Sequence, residues 1–105
     1  MEITVVSEDM KTVNVNQVPA DAQFIDVREP DEYAEVHAVG TTSIPLSEFA
    51  ARVDELDTSR DIYLICRSGN RSGKACTFLK ENHDIEAINV EGGTLEWVAQ
   101  NLPTG

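Results

Sequence analysis

The sequence predicts an α/β domain with a central, mainly parallel sheet flanked by helices on both faces. Three observations carry that expectation. Short apolar runs end in charge around residues 23–28, 61–66 and 86–90. A stretch with helix-start residues or helical spacing follows each of them. The chain has 105 residues, the size of one compact domain. Strands that alternate with helices are joined by crossovers, and crossovers give parallel pairing.

The elements follow in order. "ITVV" (residues 3–6) and "TVNV" (Thr12 to Val15) read as short strands, the second leading into "NQVPAD", a turn or short helix. Residues 1–11 are expected to be an extension of a core spanning 12–102. "QFIDVR" reads as a buried strand, with Phe24, Ile25 and Val27 apolar and charge following at once. "EPDEYAEV" opens a helix, with Pro30 in the first turn and Asp31 and Glu32 at the end of the dipole that favours acids. In "TTSIPLSEFAARVDEL", Pro45 breaks the chain and Ser47 is the expected cap. Phe49, Val53 and Leu56 then recur on one helical face. "DIYLIC" is a second buried strand, and the helix after it puts Ala75, Cys76 and Leu79 on one side. "EAINV" is a third strand. Gly92-Gly93 forces a tight turn, and "TLEWVAQNL" closes as a helix with Trp97 inside.

Hydrophobic residues make up 41% of the chain and charged residues 26%, which is globular composition. The formal net charge of -11 argues against nucleic acid and against an anionic membrane surface as partners. The N-terminal "MEITVVSEDMK" lacks the basic and apolar regions of a signal peptide, and no apolar run approaches the roughly 20 residues of a membrane span. Cytoplasm is therefore the expected compartment, where thiols stay reduced, so Cys66 and Cys76 are not expected to pair. Ten positions separate them, and His37 and His83 lie far from both, so the spacing does not suit zinc.

Of eight Lys and Arg residues, three (Arg67, Arg71 and Lys74) crowd the stretch "YLICRSGNRSGKACTFL" beside Cys66. In an open α/β sheet a ligand binds beyond the carboxyl ends of strands, near helix N-termini. Cys66 stands at such a place. Gly69 lets the loop curl, so backbone N–H groups can converge into an anion-binding nest. The helix dipole, Arg67 and Arg71 add positive potential, and Ser72 can cap the helix or offer its hydroxyl to the sulfur. A free thiol with a pKa of about 8.5 is only about 3% ionised at pH 7, whereas cysteines in such settings fall to roughly 3.5–7.5. The competing reading of Cys66 is a small buried hydrophobe ending a strand. For Cys76, on the apolar side of the helix, packing is the better account.

Together with "FIDVREPDEYAEVHAVGTTSIPLSEF" (Phe24 to Phe49) and "NVEGGTLEWV", this loop resembles the rhodanese homology domain, a sulfurtransferase family. The likeness runs from about Val13 to Leu102. It implies that Cys66 carries a persulfide, with no other cofactor and no metal. It further implies that the loop Arg67, Ser68, Gly69, Asn70, Arg71 and Ser72 cradles the sulfur, with Arg67 and Arg71 holding the anionic end of thiosulfate or the departing sulfite. Asp26, Arg28, Glu32 and His37 match family positions of mainly structural character. The sequence departs from the family after Glu35. Where the family reads Gly-His-Ile-Pro-Gly-Ala, this chain has Val36-His37-Ala38-Val39-Gly40-Thr41, so the turn is expected to differ.

The resemblance implies a ping-pong sulfurtransferase: sulfur from thiosulfate or another persulfide donor, passed to cyanide, a thiol or a protein acceptor. Two alternatives stand beside it. A phosphatase or arsenate reductase also uses a cysteine nest and an arginine, but typically with five residues between them, and here there are four. A small module of this kind could also relay persulfide sulfur to one partner, or merely bind it.

Overall fold

The computed structural model describes residues 11–105. β1 (Lys11–Asn14) leads into a 3-10 turn at Val15–Gln17, then β2 (Gln23–Asp26), α1 (Pro30–Glu35) and β3 (Thr41–Ser43). α2 (Leu46–Phe49) continues as a 3-10 helix over Ala50–Glu55. β4 (Ile62–Ile65), α3 (Asn70–His83), β5 (Ile88–Glu91) and α4 (Gly93–Ala99) complete the chain. The strands form one five-stranded sheet in the order β1-β5-β4-β2-β3, and every pairing is parallel.

β4 sits at the centre, and all four of its residues are buried. A strand buried on both faces has no polar alternation to keep, which is why "IYLI" reads as a continuous apolar run. Its alternate side chains divide the core. Ile62, Leu64 and then Cys66 join Ile25 and Val27 on one face, covered by Phe49, Val53 and Leu56 and by Ala75, Cys76 and Leu79 of α3. Tyr63 and Ile65 join Phe24, Ile88 and Val90 on the other, covered by Val15, Ala38 and Trp97. Trp97 meets Phe24 with ring centroids 5.5 Å apart.

The strand order also locates the site. From β2 the chain crosses outward through α1 to β3. From β4 it crosses the opposite way through α3 to β5. The carboxyl ends of β2 and β4 therefore flank the topological switch point, where a crevice opens. Asp26 to Glu32 lie on one side of it and Cys66 to Arg71 on the other.

Three local expectations change. Thr41–Ser43 forms β3, an edge strand bonded to β2 alone. Its polar residues carry no apolar run to announce it. Val15 leaves the strand for the 3-10 turn, because the Asn14 N–H donates to Gln17 Oε1 at 2.8 Å and closes a capping box. Ser47 does not cap α2: Pro45 precedes the helix, and the Ser47 hydroxyl donates to Glu29 Oε1 at 3.1 Å. The "ITVV" strand lies outside the described residues, and β1 begins at Lys11.

Leu79 is fully buried between α3 and the sheet. Leu79→Ala is expected to cost about 2–5 kcal/mol in urea denaturation. Val98→Ala, at a half-exposed position, should stay within about 0.5 kcal/mol.

Candidate active site

β4 ends at Ile65, and Cys66 follows with only 1% of its surface exposed. The loop turns into α3 at Gly69, whose φ of 107° belongs to the region that side chains avoid. Gly69, and not Ser72, is the residue that caps α3. Its N–H donates to Cys66 Sγ at 3.1 Å, and Ser72 Oγ lies 3.3 Å from the same sulfur. Burial, the largest single influence, pushes the Cys66 thiol up. The Ser72 hydroxyl and the N–H groups of Ser72, Gly69 and Ser68 together outweigh it, and the thiol ends below its ordinary value.

The loop keeps this shape because α4 holds its other side. The Thr94 N–H and hydroxyl both donate to the Cys66 carbonyl, at 2.8 and 3.0 Å, and the Leu95 N–H donates to the Arg67 carbonyl at 3.1 Å. With the Arg67 carbonyl turned to α4, the N–H of the same peptide, that of Ser68, is turned toward the sulfur. The close approach requires Gly93: a Cβ there would lie 2.5 Å from the carbonyl oxygens of both Cys66 and Arg67. Buried Asn89 on β5 supplies a third tie, its Nδ2 donating to the Gly69 carbonyl at 3.1 Å. Thr94 and Asn89 did not stand out in the sequence. The available signal was an asparagine inside the apolar run "AINV", because a buried amide needs partners.

The arginines divide. Arg71, at the second position of α3, closes its fork on Glu32 of α1, with Nη1 to Oε1 at 2.7 Å and Nη2 to Oε2 at 2.8 Å. That guanidinium, above all through its hydrogen bond, draws the Glu32 carboxyl down to about 2. Arg28 is buried and wraps Asp26, with Nη2 to Oδ2 at 2.8 Å, and it donates to the Val36 carbonyl at 2.6 Å. Arg67 is exposed, and its side chain makes no ion pair among the described residues. Ser68 on the loop and Asn70, the first residue of α3, are exposed. Glu32, Arg71, Asp26 and Arg28 thus form two ion pairs bracing the switch point from both sides.

His37 is held within the α1 region. Its Nδ1 lies 2.7 Å from the Tyr33 carbonyl, which can only accept, so Nδ1 carries the proton. The ring stacks on Tyr33 at 3.8 Å and 3°. Cys76 is a core residue whose thiol is pushed up to about 12 by burial and by the neighbouring Cys66 charge. Both cysteines are free.

A pocket of about 320 Å³ opens beside the loop, bounded by Arg67, Thr94, Leu95 and Val98 and, across from them, by Glu35 and Val36. Val36 is extended, at φ -161°, a conformation that a β-branched residue adopts readily. The segment that departs from the rhodanese pattern therefore borders this pocket. Among the described residues, no group of three or more His, Cys, Asp or Glu could hold a metal, and no helix is long and apolar enough to cross a membrane.

A family model for the rhodanese-like domain matches residues 9–100. The chain belongs to that family. A protein named sulfurtransferase from Allochromatium vinosum is 31% identical over 83 residues, which cover 79% of this chain and 78% of that one. A putative sulfur carrier protein of Bacillus subtilis, YrkF, is 40% identical over 77 residues, covering 73% of this chain and 42% of the relative. The crystal structure of a rhodanese-related protein from Thermoplasma volcanium superposes with a TM-score of 0.82 at 28% identity, over 90% of this chain and 97% of that one. The fold is thus the rhodanese-like one, and the family includes sulfurtransferases and sulfur carriers.

Gly93→Ala is expected to cost about 2–3 kcal/mol from backbone strain and displaced carbonyls. It should also slow alkylation of Cys66 at neutral pH. Glu32→Gln should cost on the order of 1 kcal/mol at pH 7, because the pair is about a third exposed. The Glu32 carboxyl is depressed in the folded state, so its contribution is complete above its unfolded value of 4.5 and fades as pH falls toward 2. Urea stabilities of native protein and variant should accordingly converge on acidification through that window.

Proposed function

We propose that the protein moves sulfane sulfur by covalent ping-pong catalysis on Cys66. The observation that carries this is a buried sulfur at a strand end that collects the loop's amide donors, beginning with the Gly69 N–H at 3.1 Å. The Cys66 thiolate attacks the outer sulfur of thiosulfate or of another sulfane donor. A new S–S bond forms, and the old one breaks with its electron pair leaving on sulfite or on the donor thiolate. Cys66 then holds a persulfide, whose outer sulfur stands about 2 Å from Sγ. An acceptor nucleophile takes that sulfur, and the electron pair of the breaking bond returns to Cys66. Cyanide gives thiocyanate, and a thiolate gives a new persulfide. The thiolate fraction is the attacking species, and the loop donors that lower the thiol take the place of a general base. The loop amides stabilise charge on sulfur without reorganising.

Arg67 is the cation available to receive the anionic end of a donor, because both outer nitrogens of Arg71 are engaged by Glu32. The same engagement weighs against phosphoryl chemistry, where that arginine would have to clamp a tetrahedral oxyanion. A loop with four residues between Cys66 and Arg71 also encloses a smaller ring.

A second reading, sulfur relay to a protein partner, draws on the half-exposed Leu95 and Val98 at the pocket rim. The similarity to a putative sulfur carrier is consistent with it. An acceptor thiol presented by a protein surface would cover those side chains.

Incubation of the native protein with thiosulfate should add one sulfur atom to the Cys66 peptide by mass spectrometry, and added cyanide should remove it. Cys66→Ser should abolish both. No sulfur gain from thiosulfate or from any organic persulfide donor would refute the reading. Turnover of an aryl phosphate that disappears in Cys66→Ser would replace it with a phosphatase. Rapid transfer to one protein partner, with slow turnover of thiosulfate and cyanide, would decide for the relay.

A further inference from the structure

Ser72 has one hydroxyl proton and two acceptors competing for it. Its Oγ lies 3.3 Å from Cys66 Sγ and 2.5 Å from Asn89 Oδ1. The three residues are buried, at 1%, 0% and 8% exposure for Cys66, Ser72 and Asn89, so solvent does not readily stand in for a missing donor. The orientation of the Asn89 amide is set by its other end. Nδ2 donates to the Gly69 carbonyl at 3.1 Å, and a flipped amide would face that carbonyl with an oxygen. Oδ1 is therefore the atom facing Ser72. A 2.5 Å contact between two oxygens needs a proton between them, and only Ser72 can supply it.

We propose that Asn89 is a positioning residue for the sulfur chemistry: it holds the Ser72 hydroxyl proton while Cys66 is a neutral thiol or persulfide and yields it when the sulfur becomes a thiolate. The inference rests on Cys66 being the reacting group. In the thiol state the S–H points to Ser72 Oγ and the Ser72 O–H points to Asn89, a continuous chain of donors. On ionisation the sulfur loses its proton, Ser72 rotates its O–H onto Sγ, and the Ser72 and Asn89 oxygens are left facing each other. Asn89 thereby opposes part of the stabilisation that the loop amides provide. That opposition has a chemical use. A thiolate's intrinsic nucleophilicity falls as its thiol becomes more acidic, so the best attacking sulfur is one whose pKa stays near ambient pH.

The charged and titratable groups around Cys66 leave this assignment to Asn89. α3 presents Arg71, paired with Glu32 of α1, Cys76, whose thiol is pushed up to about 12, and Lys74, which is exposed and borders a cleft with Gly69 and Asn89. Asp26 and Arg28 pair with each other at the end of β2, and Arg67 is exposed. From β5 and α4 the groups facing the loop are Asn89 and Thr94, neither of which titrates. Glu91 and Glu96 on those elements are exposed.

The test is a double-mutant cycle read on Cys66 ionisation. Thiolate absorbance and the pH dependence of iodoacetamide alkylation, mapped to the Cys66 peptide, are measured for native protein, Asn89→Ala, Ser72→Ala and the double variant. Asn89→Ala is expected to lower the Cys66 pKa by about 0.5–1 unit, or roughly threefold to tenfold more thiolate below the midpoint. Ser72→Ala should raise it, and Asn89→Ala added to Ser72→Ala should leave it unmoved. Asn89→Val, which suits a strand, repeats the comparison if the alanine variant does not fold. An equal shift in both backgrounds would assign the effect to the Gly69 tie and overturn the proposal, as would no shift or an upward shift in Asn89→Ala. Because the readout needs no sulfur donor, its failure is distinct from a failure of persulfide formation.

Discussion

The carbonyl oxygen of Cys66 accepts from both the N–H and the hydroxyl of Thr94, and the orientation of the whole loop follows from that. The next carbonyl, of Arg67, is held by the Leu95 N–H, and a trans peptide whose oxygen is held on one side turns its own N–H, here that of Ser68, to the other. That other side faces the Cys66 sulfur, to which the Ser68 N–H contributes along with those of Gly69 and Ser72. The clamp works only because the chain at Gly93 has no side chain to separate α4 from the loop. The Cys66 end of β4 is thus shaped by β5 and α4, about twenty-five residues further along the chain.

The second constraint is the pair of ion pairs at the switch point. Connections leaving β2 and β4 in opposite directions open a crevice, and an open crevice needs bracing. Asp26 with Arg28 secures the β2 side and ties it to the Val36 carbonyl. Glu32 with Arg71 spans the gap from α1 to α3. The cost is chemical. An arginine closed on a carboxylate contributes field to the sulfur but offers little grip to a substrate anion. That leaves Arg67 as the loop arginine open to solvent, beside a rim that includes Leu95 and Val98, with exposed Lys74 further along α3.

The sulfur itself sits between two demands. Burial resists charge, the loop amides invite it, and the balance falls below an ordinary thiol. Asn89, by taking the Ser72 proton, keeps that balance from going too far. Cys76, one helix face away and without such donors, goes in the opposite direction and stays a packing residue. Two cysteines in one core cluster thus differ in chemistry because only one lies at a strand end with amides turned toward it.

Much of this was determined by local sequence. Apolar runs at residues 23–27 and 62–65, helix-start residues at Pro30 and a glycine before Asn70 placed the strands, the helices and the cysteine loop, because those signals act over a few residues. "TTS" at 41–43 did not announce a strand, since an edge strand need bury little and pairs on one side only. Whether Arg71 points to a substrate or to Glu32 was not legible either. The two are 39 residues apart, and their meeting depends on α1 and α3 flanking the same crevice. The same holds for Asn89 and Thr94. Each is an ordinary polar residue in its own segment and gains its role only where parallel pairing brings β5 and α4 against the end of β4. The sequence by itself determined that a cysteine stands at a strand-to-helix turn rich in donors. The tertiary structure decided which donors reach the sulfur, because backbone direction in that turn is set by contacts from distant parts of the chain.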